Sequence, residues 1–442
     1  MPHDILILGA GMVARPIVTY LLERPAFRVT VASRTVAKAA ALVGDHERGV
    51  AKALDVNDEG ALAAEIAAAD IVISLVPYTH HLKVARLCLK HHKHLITTSY
   101  VKPEMQALDG PAREAGILLL NEIGLDPGID HMSAMKIIHA AQNAGGRVAA
   151  FRSYCGGLPA PEANTNPWGY KFSWSPRAVV MAGRNDARYR EDGRLVEVAG
   201  KDLFADCHAI KVSGAGVFEY YPNRDSLPYL QLYGIADAAT MFRGTLRNPG
   251  WCETWLILAR LGFIADEPLR RVAGLSYADY TRMVLGMTGG DVQKEFAARA
   301  GVAADSHVVA KMAWLGMFGD EKVPGDNVAP LDVLANRLLA RCAYGENERD
   351  MVILHHDFVV VYPNRKEHVT STLVDFGIPG GDSAMARTVS LPAAIATRLL
   401  AEGKITLTGV HIPVTPAIYG PVMAELERLG IKCVETNEAM KA

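Results

Sequence analysis

Ile5-Leu6-Ile7-Leu8-Gly9-Ala10-Gly11-Met12-Val13-Ala14 is the stretch that decides the fold. Four apolar residues with no polar alternation fit a strand buried on both faces of a parallel sheet. The run ends in a GxGxxA turn, and a helical pattern follows to Glu23. Gly9 permits the tight turn, Gly11 lets backbone approach a pyrophosphate, and Ala14 allows the helix to pack closely on the strand. The helix N-terminus then turns free N–H groups and a positive dipole end toward phosphate, with Met12 and Val13 in the same loop. A glycine-rich turn also occurs without any ligand. The strand before it and the helix after it give this one its weight as a dinucleotide site.

Working outward, the same texture repeats. Arg28–Ala32, Val50–Leu54, Asp70–Leu75, His94–Thr98 and Ile117–Leu120 read as further strands, each pair separated by a helical segment such as Ala37–Leu42. This alternation predicts an α/β fold with a Rossmann-type doubly wound parallel sheet. The turn after the second strand selects the dinucleotide. NAD sites usually carry Asp or Glu there for the ribose 2′-OH, whereas this chain has Ser33-Arg34-Thr35. A guanidinium flanked by two hydroxyls suits a 2′-phosphate, so NADP is the expected cofactor and NAD the alternative. By topology, Asp55 and Val56 reach the adenine side and Val76 lies near the nicotinamide.

The sixth strand leads into Asn121-Glu122-Ile123-Gly124-Leu125-Asp126-Pro127-Gly128-Ile129-Asp130-His131, at the carboxyl edge where open α/β sheets bind ligands. Asp126 precedes a proline and is held extended, either as a turn residue or as a binding or catalytic carboxylate. A helix from about His131 to Ala144 is expected next. The texture then changes to a strand at Val148–Tyr154, a loop at Cys155–Pro161 and an aromatic, polar stretch around Trp168–Ser175. Residues 250–340 show helical spacing without a ligand-like cluster. Strands return at Met351–Val361 and Glu367–Asp375 and are expected to pair with those before residue 250. Gly380-Gly381-Asp382-Ser383 opens an expected last long helix, Ala384–Ala401. The expected domains are therefore 1–130 plus 382–442 for dinucleotide, 131–249 plus 341–381 as an α/β substrate domain, and 250–340 as an all-helical insertion.

Composition bounds the function class. The 442 residues are half apolar and one-fifth charged, with a formal net charge of −2. That balance argues against a broad electrostatic footprint for nucleic acid or an anionic membrane and leaves room for a local basic pocket. The start lacks the regions of a signal peptide and no apolar run reaches membrane length, so a cytoplasmic enzyme is expected. Six scattered cysteines form no CxxC pair, which suggests neither a zinc site nor a disulfide framework. His80-His81, His91-His92-His94 and His355-His356 read as surface helix ends and a sheet strand, so no metal is expected.

At this point whole strings become recognisable. The segment Asn121–His131 resembles the saccharopine dehydrogenase (L-glutamate-forming), or saccharopine reductase, family. So do Ser153-Tyr154-Cys155-Gly156-Gly157-Leu158-Pro159-Ala160-Pro161-Glu162, Tyr170-Lys171-Phe172-Ser173-Trp174-Ser175, Tyr221-Pro222-Asn223-Arg224-Asp225-Ser226 and Arg243-Gly244-Thr245-Leu246-Arg247. Trp314-Leu315-Gly316 and Ser383-Ala384-Met385-Ala386 look similar as well, so the likeness runs nearly end to end. The chain is similar both to the fungal lysine-synthesis enzyme and to the dehydrogenase half of the animal bifunctional lysine-degradation enzyme.

The resemblance implies that saccharopine is split oxidatively to L-glutamate and 2-aminoadipate 6-semialdehyde with NAD(P)+, or formed in reverse. It implies a dinucleotide domain completed by the C-terminal segment. It adds Thr98, Ser99, Leu125, Asp126 and Trp174 as cofactor contacts. It implies Ser99, Tyr100, Asp126, Lys171, Arg224, Thr245, Leu246 and Arg247 as substrate contacts. A substrate with three carboxylates around a secondary amine needs fixed cations in a partly dry cleft, which suits Lys171, Arg224 and Arg247. Tyr100, Asp126 and Cys155 are the implied groups that manage protons and water after hydride loss, Cys155 as a polar positioning group rather than a nucleophile. Removing any one of the three is expected to slow the reaction modestly. A relative acting on a different amine and aldehyde, such as carboxynorspermidine dehydrogenase, and a non-catalytic dinucleotide-binding protein are the competing readings. The direction of the reaction and pairing as a homodimer stay open at this level.

Overall fold

The computed structural model describes residues 2–174, 176–269, 272–325 and 328–441. Ser175, the end of one family-like string, lies outside them. The chain falls into two compact units, residues 1–147 with 381–434, and residues 148–380 with 435–442.

The first unit holds a parallel sheet. Its strands are β1 (His3–Leu8), β2 (Phe27–Ser33), β3 (Gly49–Ala53), β4 (Ile71–Ser74), β5 (His94–Thr97), β6 (Leu118–Leu120) and a late strand, Gly409–His411. The order is Gly409–His411, β6, β5, β4, β1, β2, β3. Every adjacent pair is parallel. The order therefore reverses between β1 and β4, the switch point at which doubly wound sheets bind ligands. Ile5, Leu6, Ile7 and Leu8 are buried, as their unbroken apolar run requires, and so are Ile71, Val72 and Ile73. The Rossmann-type expectation is borne out. The C-terminal segment does complete this sheet, through a three-residue strand too short to carry a periodic signal.

The helix Ala384–Ala401 is found with the bounds read from the sequence, and the Ser383 hydroxyl caps it by accepting the Ala386 N–H at 3.0 Å. It is not the last long helix: Pro416–Arg428 follows, with Pro416 in its first turn and Pro421 inside it. The helix Ile129–Asn143 stays with this unit and lies against Pro416–Arg428, where His139 Nδ1 and the Tyr419 hydroxyl are 2.9 Å apart.

The second unit carries a mixed sheet. Its strands are β7 (Arg147–Pro159), β8 (Ala187–Glu191), β9 (Arg194–Val198), β10 (His208–Val212), β11 (Gly216–Pro222), β12 (Thr240–Arg247), β13 (Asp350–Tyr362) and β14 (Arg365–Phe376). The path runs β10, β11, β12, β7, β13, β14 and then Val434–Met440, with β8 and β9 attached at β12. The late hairpin β13–β14 thus joins the earlier strand β7, as expected. β7 runs on through Cys155-Gly156-Gly157, which the sequence reading treated as loop. The glycines are there for closeness, since a Cβ on Gly156 would sit 2.8 Å from the Leu246 carbonyl oxygen of β12. Among the described residues, five helices between Trp251 and Arg341 belong to the same unit and share its core, where Trp168, Trp251, Trp255, Phe263, Phe296 and Leu334 are buried. Among the described residues no helix is long and apolar enough to cross a membrane.

Candidate active site

In the first unit the strand register sets the rim. Leu8 pairs with Ala32 and with Ser74, Ser74 with Thr97, and Ser33 with Ala53, so the strands end level. Gly9–Ala14, Ser33–Thr35, Asp55 and Val56, Val76, Thr98–Tyr100, and Leu125 and Asp126 all follow these carboxyl ends. Gly9 has φ +113°, and a Cβ there would meet the Leu75 carbonyl at 3.1 Å, whereas nothing lies within 4 Å of a Cβ built on Gly11. The first glycine serves the turn, and the second leaves the open approach that a pyrophosphate needs. Ala14 is fully buried under the helix Arg15–Leu22, and Ser390 donates to the Val13 carbonyl to fix the loop. Arg34 is exposed, and no hydrogen bond or ion pair holds its side chain among the described residues. Beside it, the Ser33 hydroxyl accepts the Thr35 N–H at 3.3 Å. Asp55 turns its carboxylate back onto the Asn57 N–H at 2.9 Å.

The loops after β5 and β6 are tied together. The Tyr100 hydroxyl donates to Asp126 Oδ1 at 2.8 Å. Glu122, buried and with φ +57°, binds both sides of the join. Its N–H donates to the Ser99 carbonyl at 3.1 Å, its Oε1 accepts the Val101 N–H at 2.8 Å, and its Oε2 lies 2.8 Å from Nε2 of buried His131. Asp130 Oδ1 accepts the N–H groups of Gly128 and His131 at 2.6 and 2.8 Å. The loop folds so tightly that a Cβ on Gly128, at φ +147°, would lie 2.0 Å from the Gly124 carbonyl oxygen. Gly128→Ala is expected to cost on the order of 3–5 kcal/mol, read as a shifted denaturation midpoint. A variant as stable as the parent would contradict this packing.

His81 is a residue the sequence reading missed. It was expected at a surface helix end, yet it is buried at the start of the helix His81–Lys90. Its Nδ1 meets the Ser74 hydroxyl at 2.9 Å and its Nε2 meets the Ser99 hydroxyl at 2.8 Å. Burial, with a smaller push from His80, lowers its pKa to about 4. The imidazole is therefore neutral near pH 7 and fixes the Ser99 hydroxyl. As pH falls below 6.5 the unfolded chain takes up a proton that the native state refuses until about pH 4. Stability present above pH 6.5 is lost across that window. Denaturation midpoints measured from pH 7 to pH 5 should fall less steeply for His81→Gln than for the parent; equal slopes would contradict the burial argument.

In the second unit, Cys155 is buried in β7 and stands opposite Thr245 of β12. Thr245 also pairs with Tyr221 of β11, and Leu246 is fully buried. Arg247, only 3% exposed, stacks its guanidinium 5.2 Å from the rings of Tyr170 and Trp251 and 5.9 Å from that of Tyr221. Its Nη1 donates to the Leu246 carbonyl at 2.8 Å, while its Nε finds no acceptor. Burial pushes the Tyr221 phenol up to about 12 and raises that of Tyr170, so neither ring supplies an anion. No carboxylate pairs with Arg247 among the described residues. Trp174 Nε1 donates to the Tyr170 hydroxyl at 3.2 Å. Lys171, expected as a substrate contact, is held by both Glu348 oxygens at 2.5 and 2.6 Å and by Thr165 at 3.1 Å. Arg224 is exposed at φ +58°, on the turn after β11.

Known proteins resemble the chain over its full length. A family model described as the saccharopine dehydrogenase NADP binding domain matches residues 5–120. One described as the saccharopine dehydrogenase C-terminal domain matches residues 124–431. The NADP(+), L-glutamate-forming saccharopine dehydrogenase of Pyricularia oryzae is 41% identical over 446 residues, covering 98% of each chain. That of Schizosaccharomyces pombe is 42% identical over 444 residues, again with 98% of each covered. The solved structure of apo histidine-tagged saccharopine dehydrogenase (L-Glu forming) from Saccharomyces cerevisiae is similar with a TM-score of 0.90 at 39% identity. It matches 99% of this chain and 100% of its own.

Proposed function

Because the chain belongs to the saccharopine dehydrogenase family, we propose that it is an NADP-dependent, L-glutamate-forming saccharopine dehydrogenase of lysine metabolism. It interconverts saccharopine, NADP+ and water with L-glutamate, 2-aminoadipate 6-semialdehyde, NADPH and a proton. The observation that carries the substrate class is Arg247. A buried guanidinium without an internal carboxylate costs several kcal/mol unless an anion reaches it, and saccharopine carries three carboxylates.

The rim of the first unit fits the cofactor. The open face of Gly11 suits a pyrophosphate and the unpartnered Arg34, flanked by Ser33 and Thr35, suits a 2′-phosphate. Gly9, Met12, Val13, Ala14, Asp55, Val56, Val76, Thr98, Ser99, Leu125, Asp126 and Trp174 are the remaining cofactor contacts of this reading. NADP+ supplies the hydride acceptor when bound.

The protein's own work is positioning and proton handling. Arg224 and Arg247 receive carboxylates, with Ser99, Tyr100, Asp126, Thr245 and Leu246 as further substrate contacts. Loss of hydride leaves an imine on the substrate, and water must add to it. The Asp126 carboxylate, hydrogen-bonded to the Tyr100 phenol, takes the proton that this water releases, and the phenol returns one to the departing amine. Cys155 orients polar groups beside Thr245 rather than forming a covalent bond. No disulfide joins the six cysteines among the described residues, which supports a reducing compartment, the cytoplasm.

Product analysis tests the reading. Purified chain incubated with saccharopine and NADP+ should release one L-glutamate per NADPH formed. Turnover of a polyamine-derived carboxylate in place of saccharopine would move the assignment to carboxynorspermidine-type chemistry.

A further inference from the structure

Two thiols and a carboxylate from three separate elements meet in the second unit. Cys207 precedes β10, Glu219 lies in β11, and Cys252 is the second residue of the helix Trp251–Arg260. Their ligand atoms all lie within 4.8 Å of one another. We propose that Cys207, Glu219 and Cys252 form a three-ligand site for a thiophilic divalent cation, zinc.

The distances suit such an ion. Zn–S and Zn–O lengths place neighbouring ligand atoms of a tetrahedral site roughly 3.5–3.8 Å apart, a small contraction of the observed cluster. The carboxylate is held in place beforehand: Glu219 Oε1 accepts the Gly250 N–H at 2.6 Å and Oε2 accepts the Cys252 N–H at 3.0 Å. Hydrogen bonds of this kind orient a ligating carboxylate. Cys252 is buried while Cys207 is half-exposed, so solvent can reach the fourth position.

The charges balance as well. Two thiolates and a carboxylate are offset by a dication and by the nearby ammonium of Lys311, which binds the Gly250 carbonyl and the Thr254 hydroxyl. Two further carboxylates close to these elements each face a histidine, Asp206 toward His208 at 2.9 Å and Glu253 toward His307 at 3.2 Å. A bound dication stabilises the thiolate form of both cysteines and so turns them into ligands. Two sulfur ligands select zinc over calcium or magnesium.

Cobalt(II) reports on the site independently of enzyme activity. The full-length chain, reduced and freed of metal by a chelator, should bind one equivalent of Co2+. Thiolate-to-metal charge transfer and tetrahedral d–d bands should appear, and Zn2+ should bleach them. Cys207→Ser, at a half-exposed position, should abolish the bands with an unchanged far-ultraviolet circular dichroism spectrum. Glu219→Gln should weaken binding about tenfold or more. Zn2+ should raise the melting temperature of the parent and not of Cys207→Ser. Absence of the bands in fully reduced protein, or bands that persist in Cys207→Ser, would overturn the site.

Discussion

Replacing Arg34 with alanine is expected to raise the KM for NADP+ roughly 30- to 100-fold, the equivalent of about 2–3 kcal/mol, and to leave NAD+ nearly unchanged. Arg34 stands exposed at the end of β2, between two hydroxyl residues, and no carboxylate of the protein engages it among the described residues. A guanidinium clamp on a 2′-phosphate makes charge-assisted bonds that NAD cannot use, so its removal discriminates between the two cofactors. Exposure to solvent and salt keeps the effect below that of a buried pair. Steady-state kinetics with each dinucleotide measure it. An unchanged KM for NADP+, or an equal loss with both cofactors, would show that Arg34 does not read the phosphate.

Replacing Arg247 with methionine is expected to separate stability from function. The guanidinium is buried among Tyr170, Tyr221 and Trp251, and no carboxylate pairs with it among the described residues. Exchanging such a charge for an apolar side chain of similar length is often neutral or stabilising, so the melting temperature should hold or rise. Saccharopine should nonetheless bind about 100-fold more weakly, the loss expected when one fully desolvated carboxylate contact disappears. Cofactor affinity, measured by binding in the absence of saccharopine, should not move. A variant that is destabilised yet keeps its KM for saccharopine would make Arg247 a packing residue and remove the main support for the substrate class.

Local pattern carried the reading where a signal is local. Ile5–Leu8 reads as a buried strand because four successive apolar side chains cannot alternate with solvent, and it is one. Gly380-Gly381-Asp382-Ser383 opens the helix Ala384–Ala401 as read, and the Ser383 hydroxyl turns out to cap it. The helix Pro416–Arg428 went unread because Pro416 and Pro421 argue for breaks. Yet proline is tolerated in a first turn, and packing against Ile129–Asn143 supports the rest. Strand β7 outran its expected end because the need for Gly156 lies in β12, ninety residues further on.

The candidate site divides the same way. Gly9, Gly11, Arg34 and the carboxyl-edge loop with Asp126 stand in contiguous strings with recognisable spacing. His81 does not, because the groups that bury it, Ser74 and Ser99, come from two neighbouring strands. Glu122 and His131 sat in a quoted string, but their pairing depends on how the loop closes around Gly128. Lys171 and Arg247 look alike as cations in family-like motifs. Only the fold shows that Glu348 pairs with one, while no carboxylate pairs with the other among the described residues. Cys207, Glu219 and Cys252 meet through three elements, so no CxxC spacing announces them.

The formation of NADPH on adding saccharopine to the purified chain with NADP+ tests the central claim most directly. Saccharopine-dependent reduction, one L-glutamate for each NADPH, and far slower turnover with NAD+ are the expected results. A chain that binds NADP+ tightly and yet reduces none of it with saccharopine, across the pH range in which it stays folded, would contradict the account.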